Sequence, residues 1–215
     1  MTCGRQAPLS PVANNRCNVS LAMNPRAKTP RRSNRGRPKV AFLSLGSNLG
    51  DRADYIRKAL ERLNLSGVTV RRVSSLYETE PVHYRAQPWF INCVAEVETK
   101  LSPRQLFKAC KAVERALGRR PAIPQGPREI DIDILFYENV VVDSVALRIP
   151  HARLEERRFV LVPLCELRPE VCHPVSRRTA AEMLAETRDT SQVIRLRQKA
   201  AKAPRAKRHR GLPAQ

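Results

Sequence analysis

The sequence predicts an α+β fold in which helices cover one face of an antiparallel sheet, and three observations predict it. The segment Phe90–Thr99 alternates cleanly, with Ile91, Cys93, Ala95 and Val97 to one side and Phe90, Asn92, Val94, Glu96 and Glu98 to the other. Two segments, after Asp51 and after Ser102, carry apolar residues at helical spacing. The order of strands and helices along the chain places one helix in each half.

Val40–Leu45 is the first apolar run and reads as a strand, closed by the turn Gly46-Ser47-Asn48-Leu49-Gly50. Asp51 opens a helix whose stripe is Ile56, Ala59, Leu60 and Leu63. A strand over about 68–78 follows, then a loop from Thr79 to Trp89 that holds Pro81, His83, Arg85 and Pro88. After Phe90–Thr99, Ser102 with Gln105 forms a capping box and Pro103 takes the first helical position. That helix runs through Leu106, Cys110, Val113 and Leu117 and stops at Gly118. Ile130–Phe136 is the next strand, so the order is β-α-β-β-α-β, the ferredoxin-like arrangement with both helices on one face. C-terminal β/α additions follow over about 145–188, with His151, the apolar stretch Phe159–Leu167 and a helix from about Ala180.

The charge is unevenly spread over the 215 residues. The chain has 40 Lys+Arg and 20 Asp+Glu, a formal charge of +20, yet every acid lies between Asp51 and Asp189. Residues 1–38 and 190–215 hold eight bases each, which leaves 24 bases against 20 acids between them. The two ends are therefore expected to be disordered basic extensions around a domain at 39–189, with no dedicated nucleic-acid or membrane partner. No run approaches the roughly 18 apolar residues of a membrane span, and no secretory h-region opens the chain. The six cysteines, Cys3, Cys17, Cys93, Cys110, Cys165 and Cys172, form no C-x-x-C pair. They read as reduced thiols, and the expected compartment is cytoplasmic.

Gly126-Pro127-Arg128-Glu129-Ile130-Asp131-Ile132-Asp133-Ile134-Leu135 is the most informative stretch. On a strand, Ile130, Ile132, Ile134 and Phe136 face the core, while Glu129, Asp131 and Asp133 share the other face. Carboxylates at i and i+2 can share one Mg²⁺ or bridge a pair roughly 4 Å apart. Read alone, Asp-x-Asp is a wet strand face. Arg128 beside it, with Arg119 and Arg120 in the preceding loop, suits a metal-bound polyphosphate instead. His151, Arg157 and Arg158 form a second cationic group. Phe90 and Asn92 project to the side of the carboxylates, where an aromatic plane next to an amide suits a flat heterocycle. Walker A and kinase signatures are absent.

Several stretches together resemble the 6-hydroxymethyl-7,8-dihydropterin pyrophosphokinase family. They are Gly46-Ser47-Asn48-Leu49-Gly50-Asp51-Arg52, Ser74-Ser75-Leu76-Tyr77-Glu78-Thr79, Gln87-Pro88-Trp89-Phe90-Ile91-Asn92, Gly126-Pro127-Arg128 with Asp131 and Asp133, and Pro150-His151 with Arg153, Leu154, Arg157 and Phe159-Val160-Leu161. The resemblance covers about 39–185 and implies a ferredoxin-like αβ fold in folate synthesis. It implies transfer of pyrophosphate from ATP to the pterin hydroxymethyl group, with release of AMP. Asp131 and Asp133 would hold two Mg²⁺ ions, and Arg119, Arg120 and Arg128 would join them in catalysis. Glu114, Arg128, Ile134, His151 and Arg157 fall at ATP positions. Thr79, Val82, Phe90, Asn92, Asp131 and Phe159 fall at pterin positions. A monomer is expected. The loop Arg119–Gln125 departs from the family pattern: it is one residue shorter than in one well-known form of the family and has Gln125 where that form has an aromatic.

The rival reading is a ferredoxin-like nucleic-acid module with basic arms, which would stack bases on sheet aromatics. The chain has only ten aromatic residues and no RNP-type pattern, and Asp131 and Asp133 would repel a phosphate backbone unless metal intervened.

Overall fold

β1 (Lys39–Ser47) lies inside the sheet, antiparallel to β4 (Phe90–Thr99) on one side and to the edge strand β5 (Asp131–Tyr137) on the other. The structure is a computed structural model that describes residues 36–82, 85–120 and 126–197. The far edge of β4 is shared by β2 (Val68–Val73) and β3 (Tyr77–Thr79). The expected single strand over 68–78 is therefore split. Ser74 breaks it: its amide donates to the Val94 carbonyl at 2.9 Å and its hydroxyl accepts from the Val94 amide at 3.0 Å. Ser75 then turns outward to Glu166, whose carboxylate accepts from its amide and hydroxyl at 2.9 and 2.8 Å.

Two helices pack on one face of this sheet. α1 (Arg52–Leu65) is capped by Asp51, which accepts from the Asp54 amide at 3.0 Å, and α2 (Pro103–Ala116) by the reciprocal Ser102–Gln105 box. Ile56, Ala59 and Leu63 of α1 and Leu106, Cys110 and Val113 of α2 bury against Leu43, Leu45, Cys93, Ala95, Ile132 and Ile134. The chain passes Gly118 at φ +93°, a left-handed turn that suits a residue without Cβ.

The other face carries a second core, made by α3 (Arg158–Leu167) and α4 (Ala180–Glu186). Val160, Leu161, Leu164, Ala180 and Met183 pack on Phe42, Val94, Leu135 and Phe136. Phe136 thus lies on the opposite face from that expected. A register shift between Phe42 and Leu43 leaves Leu135 as the extra residue of β5, so Leu135 and Phe136 both join the second core. Upstream of the bulge the alternation holds, and Asp131 and Asp133 keep to the face away from α1 and α2. A two-stranded hairpin, β6 (Val142–Asp143) with β7 (Arg148–Ile149), and a short 3₁₀ turn at Leu154–Glu156 lead into α3.

The expected domain boundary at 189 falls short of the folded chain. β8 (Val193–Arg195) adds to the sheet as an antiparallel edge next to β3. The expected disordered stretch 190–215 therefore begins with a strand, while 1–35 and 198–215 lie outside the described residues. Cys93, Cys110 and Cys165 are free thiols, and burial pushes the first two up to about 12.

Glu166 joins α3, β3 and β8 at one point. Its carboxylate also accepts from the Tyr77 hydroxyl at 2.8 Å and pairs with Arg195 at 3.2 Å. Burial alone would raise its pKa, but the bonds from Ser75 and Tyr77 outweigh that and hold it below the ordinary value. A depressed carboxyl stabilises the fold above its unfolded pKa, and that share is lost as pH falls through the folded one. Glu166→Gln should cost about 1 kcal/mol at pH 7. In a denaturant titration series, the gap to the parent protein should close below about pH 4.

Candidate active site

The same end of three strands and the start of α3 enclose a cavity of about 290 Å³. β1 contributes Ser44 and Gly46, β4 contributes Phe90 and Asn92, and β5 contributes Asp131, Asp133 and Leu135. Thr79 to Val82 and Gln87 line one wall; Arg157, Phe159 and Val160 line another; Lys111 and Arg119 reach in from α2 and its end.

One half of the cavity is flat and neutral. The Asn92 amide nitrogen donates to Thr79 Oγ1 at 2.7 Å, which fixes the amide plane. Gly46, opposite Asn92 in the β1–β4 register, leaves room for it: a Cβ there would lie 2.3 Å from Asn92 Oδ1. Phe90 has the Arg128 guanidinium 5.4 Å from its ring centre, and Phe159 has Arg157 at 5.7 Å. Asn48 holds the surrounding loops. Its side chain donates to Gln87 Oε1 at 3.0 Å and to the Pro88 carbonyl at 3.1 Å, and accepts from the Arg128 amide at 2.7 Å. Arg52 adds a bond to the Trp89 carbonyl at 2.7 Å.

The other half is charged. Asp131 Oδ1 is 2.6 Å from Arg119 Nη1 and 3.9 Å from Lys111 Nζ, and its Oδ2 is 3.1 Å from Arg128 Nη1. Burial would raise the Asp131 carboxyl, but Arg128, Arg119 and Lys111 outweigh it and keep it below the ordinary carboxylate range. Asp133 lies 4.0 Å from Lys111 and 3.8 Å from His151 Nε2. His151 is pushed down, chiefly by burial against the pull of Asp133. Its Nδ1 accepts from the Arg153 amide at 3.2 Å, which leaves the proton on Nε2, toward Asp133. Arg157 is likewise lowered by burial.

The predicted residues divide into three groups. Thr79, Val82, Phe90, Asn92, Arg119, Arg128, Asp131, Asp133, Arg157 and Phe159 meet in the cavity. Glu114 and His151 stand behind it. Glu114 is 2% exposed, accepts from the Ile132 amide at 2.7 Å and pairs with Lys111 at 2.8 Å and Arg119 at 2.6 Å. Burial pushes it up against both cations. Arg120, Glu129, Arg158 and the Ile134 side chain are not brought in: Arg120 is exposed, Arg158 opens α3, and Ile134 is packed under α1 and α2. The rest of the Arg119–Gln125 loop, residues 121–125, and His83 lie outside the described residues. Lys111 escaped the sequence reading, although its spacing of one turn before Glu114 on α2 puts both on one helical face. Glu80 and Gly46 also escaped it.

Residues 42–169 match the family model described as 7,8-dihydro-6-hydroxymethylpterin-pyrophosphokinase. The chain belongs to that family. It is 41% identical over 147 residues to the 2-amino-4-hydroxy-6-hydroxymethyldihydropteridine pyrophosphokinase of Aquifex aeolicus, covering 68% of this chain and 91% of the relative. It is 46% identical over 159 residues to the folic acid synthesis protein fol1 of Schizosaccharomyces pombe, covering 74% of this chain but only 21% of that protein. The chain thus spans about a fifth of the fol1 protein it matches. Among solved structures, the Plasmodium falciparum HPPK-DHPS wild type aligns with a TM-score of 0.54 at 16% identity, over 69% of this chain and 44% of that one. That likeness bears on the fold alone.

Gly46→Ala should displace the Asn92 amide from Thr79, because the 2.3 Å approach leaves no room for a methyl group. A loss of about 1–3 kcal/mol in chemical denaturation is expected. A crystal structure of the variant should show Asn92 in a new rotamer.

Proposed function

We propose that this cavity transfers pyrophosphate from ATP to the hydroxymethyl group of 6-hydroxymethyl-7,8-dihydropterin and releases AMP. The observation that carries the reading is the joining, in one cavity, of a neutral aromatic–amide half with the carboxylate pair Asp131 and Asp133 set among four cations. Family membership supports the same reaction. The pterin ring lies by Phe90 and Phe159, and the Asn92 amide reads its edge. The hydroxymethyl oxygen then points to the charged half and attacks the β-phosphorus of ATP. The bond from that phosphorus to the α,β-bridging oxygen breaks, and AMP leaves with the oxygen.

Arg119, Arg128, Arg157 and Lys111 neutralise the phosphate oxygens as charge shifts between them. Arg120, Ile134 and His151 act, if on ATP, from outside the lining, Ile134 through its main chain only. The donor chemistry fits Mg²⁺: two hard carboxylates on one strand face, with the remaining positions open to phosphate oxygens and water. Asp131 and Asp133 would hold the two Mg²⁺ ions, which would supply charge neutralisation to the phosphates. Both oxygens of Asp131 carry guanidinium contacts, so a metal there would either share those oxygens with Arg119 and Arg128 or displace one of the two.

The strand order β5-β1-β4, with β2 and β3 beyond, and both α1 and α2 on one face support a ferredoxin-like core. No described helix is long and apolar enough to cross a membrane. The cytoplasmic assignment rests on the free buried thiols of Cys93 and Cys110.

Incubation with Mg-ATP and 6-hydroxymethyl-7,8-dihydropterin should yield AMP and a pterin pyrophosphate in equal amounts by anion-exchange chromatography. Asp133→Ala should lower turnover on the order of a thousandfold. ADP as the nucleotide product, or no turnover by folded protein, would overturn the reading. Phe159→Ala should raise the pterin KM about tenfold and leave the ATP KM nearly unchanged.

A further inference from the structure

The family match ends at residue 169, yet the chain from Asp189 to Leu196 touches both walls of the cavity's neutral half. On one wall, α3 starts without a cap from its own Arg157. Asp189 supplies it from 31 residues away, with Oδ2 accepting from the Arg158 amide at 2.8 Å. Its Oδ1 accepts from the Ser191 amide at 2.9 Å, which turns the chain toward the other wall. There, the Glu80 amide donates to the Gln192 carbonyl at 3.1 Å and the Gln192 amide donates to Glu80 Oε2 at 3.4 Å. Val193, Ile194 and Arg195 then pair with Thr79, Glu78 and Tyr77, and the Leu196 amide donates to the Leu76 carbonyl at 2.8 Å.

These contacts land next to lining residues. Arg158 separates Arg157 from Phe159, and Thr79 and Glu80 are themselves lining. β3 is only three residues long, and the loop after it holds Pro81 and Val82. Without β8 its outer edge would be unpaired. We propose that residues 189–196 are a positioning strap, which sets the spacing between Phe159 and the Thr79–Val82 wall and so the affinity for the pterin. The inference rests on the reading of this half as the pterin site.

The strap acts unequally on the two ligands. Phe159 has two side-chain torsions and a ring whose place follows its backbone. Arg157 beside it has a long side chain that can re-aim its guanidinium after a small backbone shift. The charged half is held by β5 and α2, which the strap does not touch. A displaced strap therefore weakens pterin binding and spares the nucleotide.

The test uses Asp189→Ala, Asp189→Asn and Gln192→Pro in the full chain. Fluorescence titration gives the Kd of 6-hydroxymethylpterin in the presence of Mg²⁺ and saturating α,β-methylene-ATP, and calorimetry gives the Kd of that nucleotide. Asp189→Ala should weaken pterin binding about tenfold and change the nucleotide Kd less than about twofold. Asp189→Asn, which keeps an acceptor, should recover most of the loss. Gln192→Pro, which removes the amide donor to Glu80 but keeps the Gln192 carbonyl that accepts from it, should weaken pterin binding about threefold and keeps the test open if the Ala variant does not fold. Unchanged pterin affinity in the folded variants, equal loss for both ligands, or no rescue by Asn overturns the strap. Failure of the parent protein to bind the pterin overturns the site reading instead.

Discussion

Asp131 is the charge around which the site is arranged. A partly buried carboxylate between β5 and the end of α2 is costly unless it is paired, and here it meets Arg119, Arg128 and Lys111 together. Those same cations fasten separate parts of the chain. Arg119 ends α2, Arg128 leads into β5, and Lys111 sits on the buried face of α2 with Glu114 below it. Glu114 in turn accepts the Ile132 amide, so the charge network reaches the main chain of β5. The cavity is thus charged and oriented before any substrate arrives, which is the condition for electrostatic catalysis to cost little reorganisation.

The sheet supplies the geometry for this. α1 and α2 bury one face, and α3 with α4 bury the other only as far as the middle of the strands. The end left open on the second face is where β1, β4 and β5 present Gly46, Asn92, Phe90, Asp131 and Asp133. The bulge at Leu135 marks the border. Before it, β5 offers carboxylates to the cavity; after it, two large apolar residues in succession close the second core.

Much of this was legible in the sequence, and the failures have physical reasons. β4 and both capped helices announced themselves through strict alternation, the Asp51 cap and the Ser102–Gln105 box, signals that depend on neighbours in sequence. Asp131 and Asp133 were legible because strand alternation holds up to Ile134. Phe136 was misplaced because a bulge depends on the partner strand and leaves no mark of its own. β8 was missed because three residues with one neighbour are stabilised by partners over a hundred positions away, such as Thr79 for Val193. Gly46 could be read as a turn residue, but its reason for being glycine is Asn92 across the sheet. Lys111 carries no signal of its own in the sequence, and packing turns it toward the aspartates. Arg120, expected with Arg119 to reach a phosphate once the loop closes, is exposed here.

The most direct measurement is a crystal structure with Mg²⁺ and α,β-methylene-ATP, since it reads where Asp131 turns when metal and phosphate arrive. The account predicts metal on Asp131 and Asp133, the triphosphate between them and the guanidinium groups, and at least one of Arg119 and Arg128 moved from Asp131 to a phosphate oxygen. A nucleotide bound elsewhere, or a phosphate-filled cavity in which Asp131 keeps both guanidinium partners and takes no metal, would contradict it.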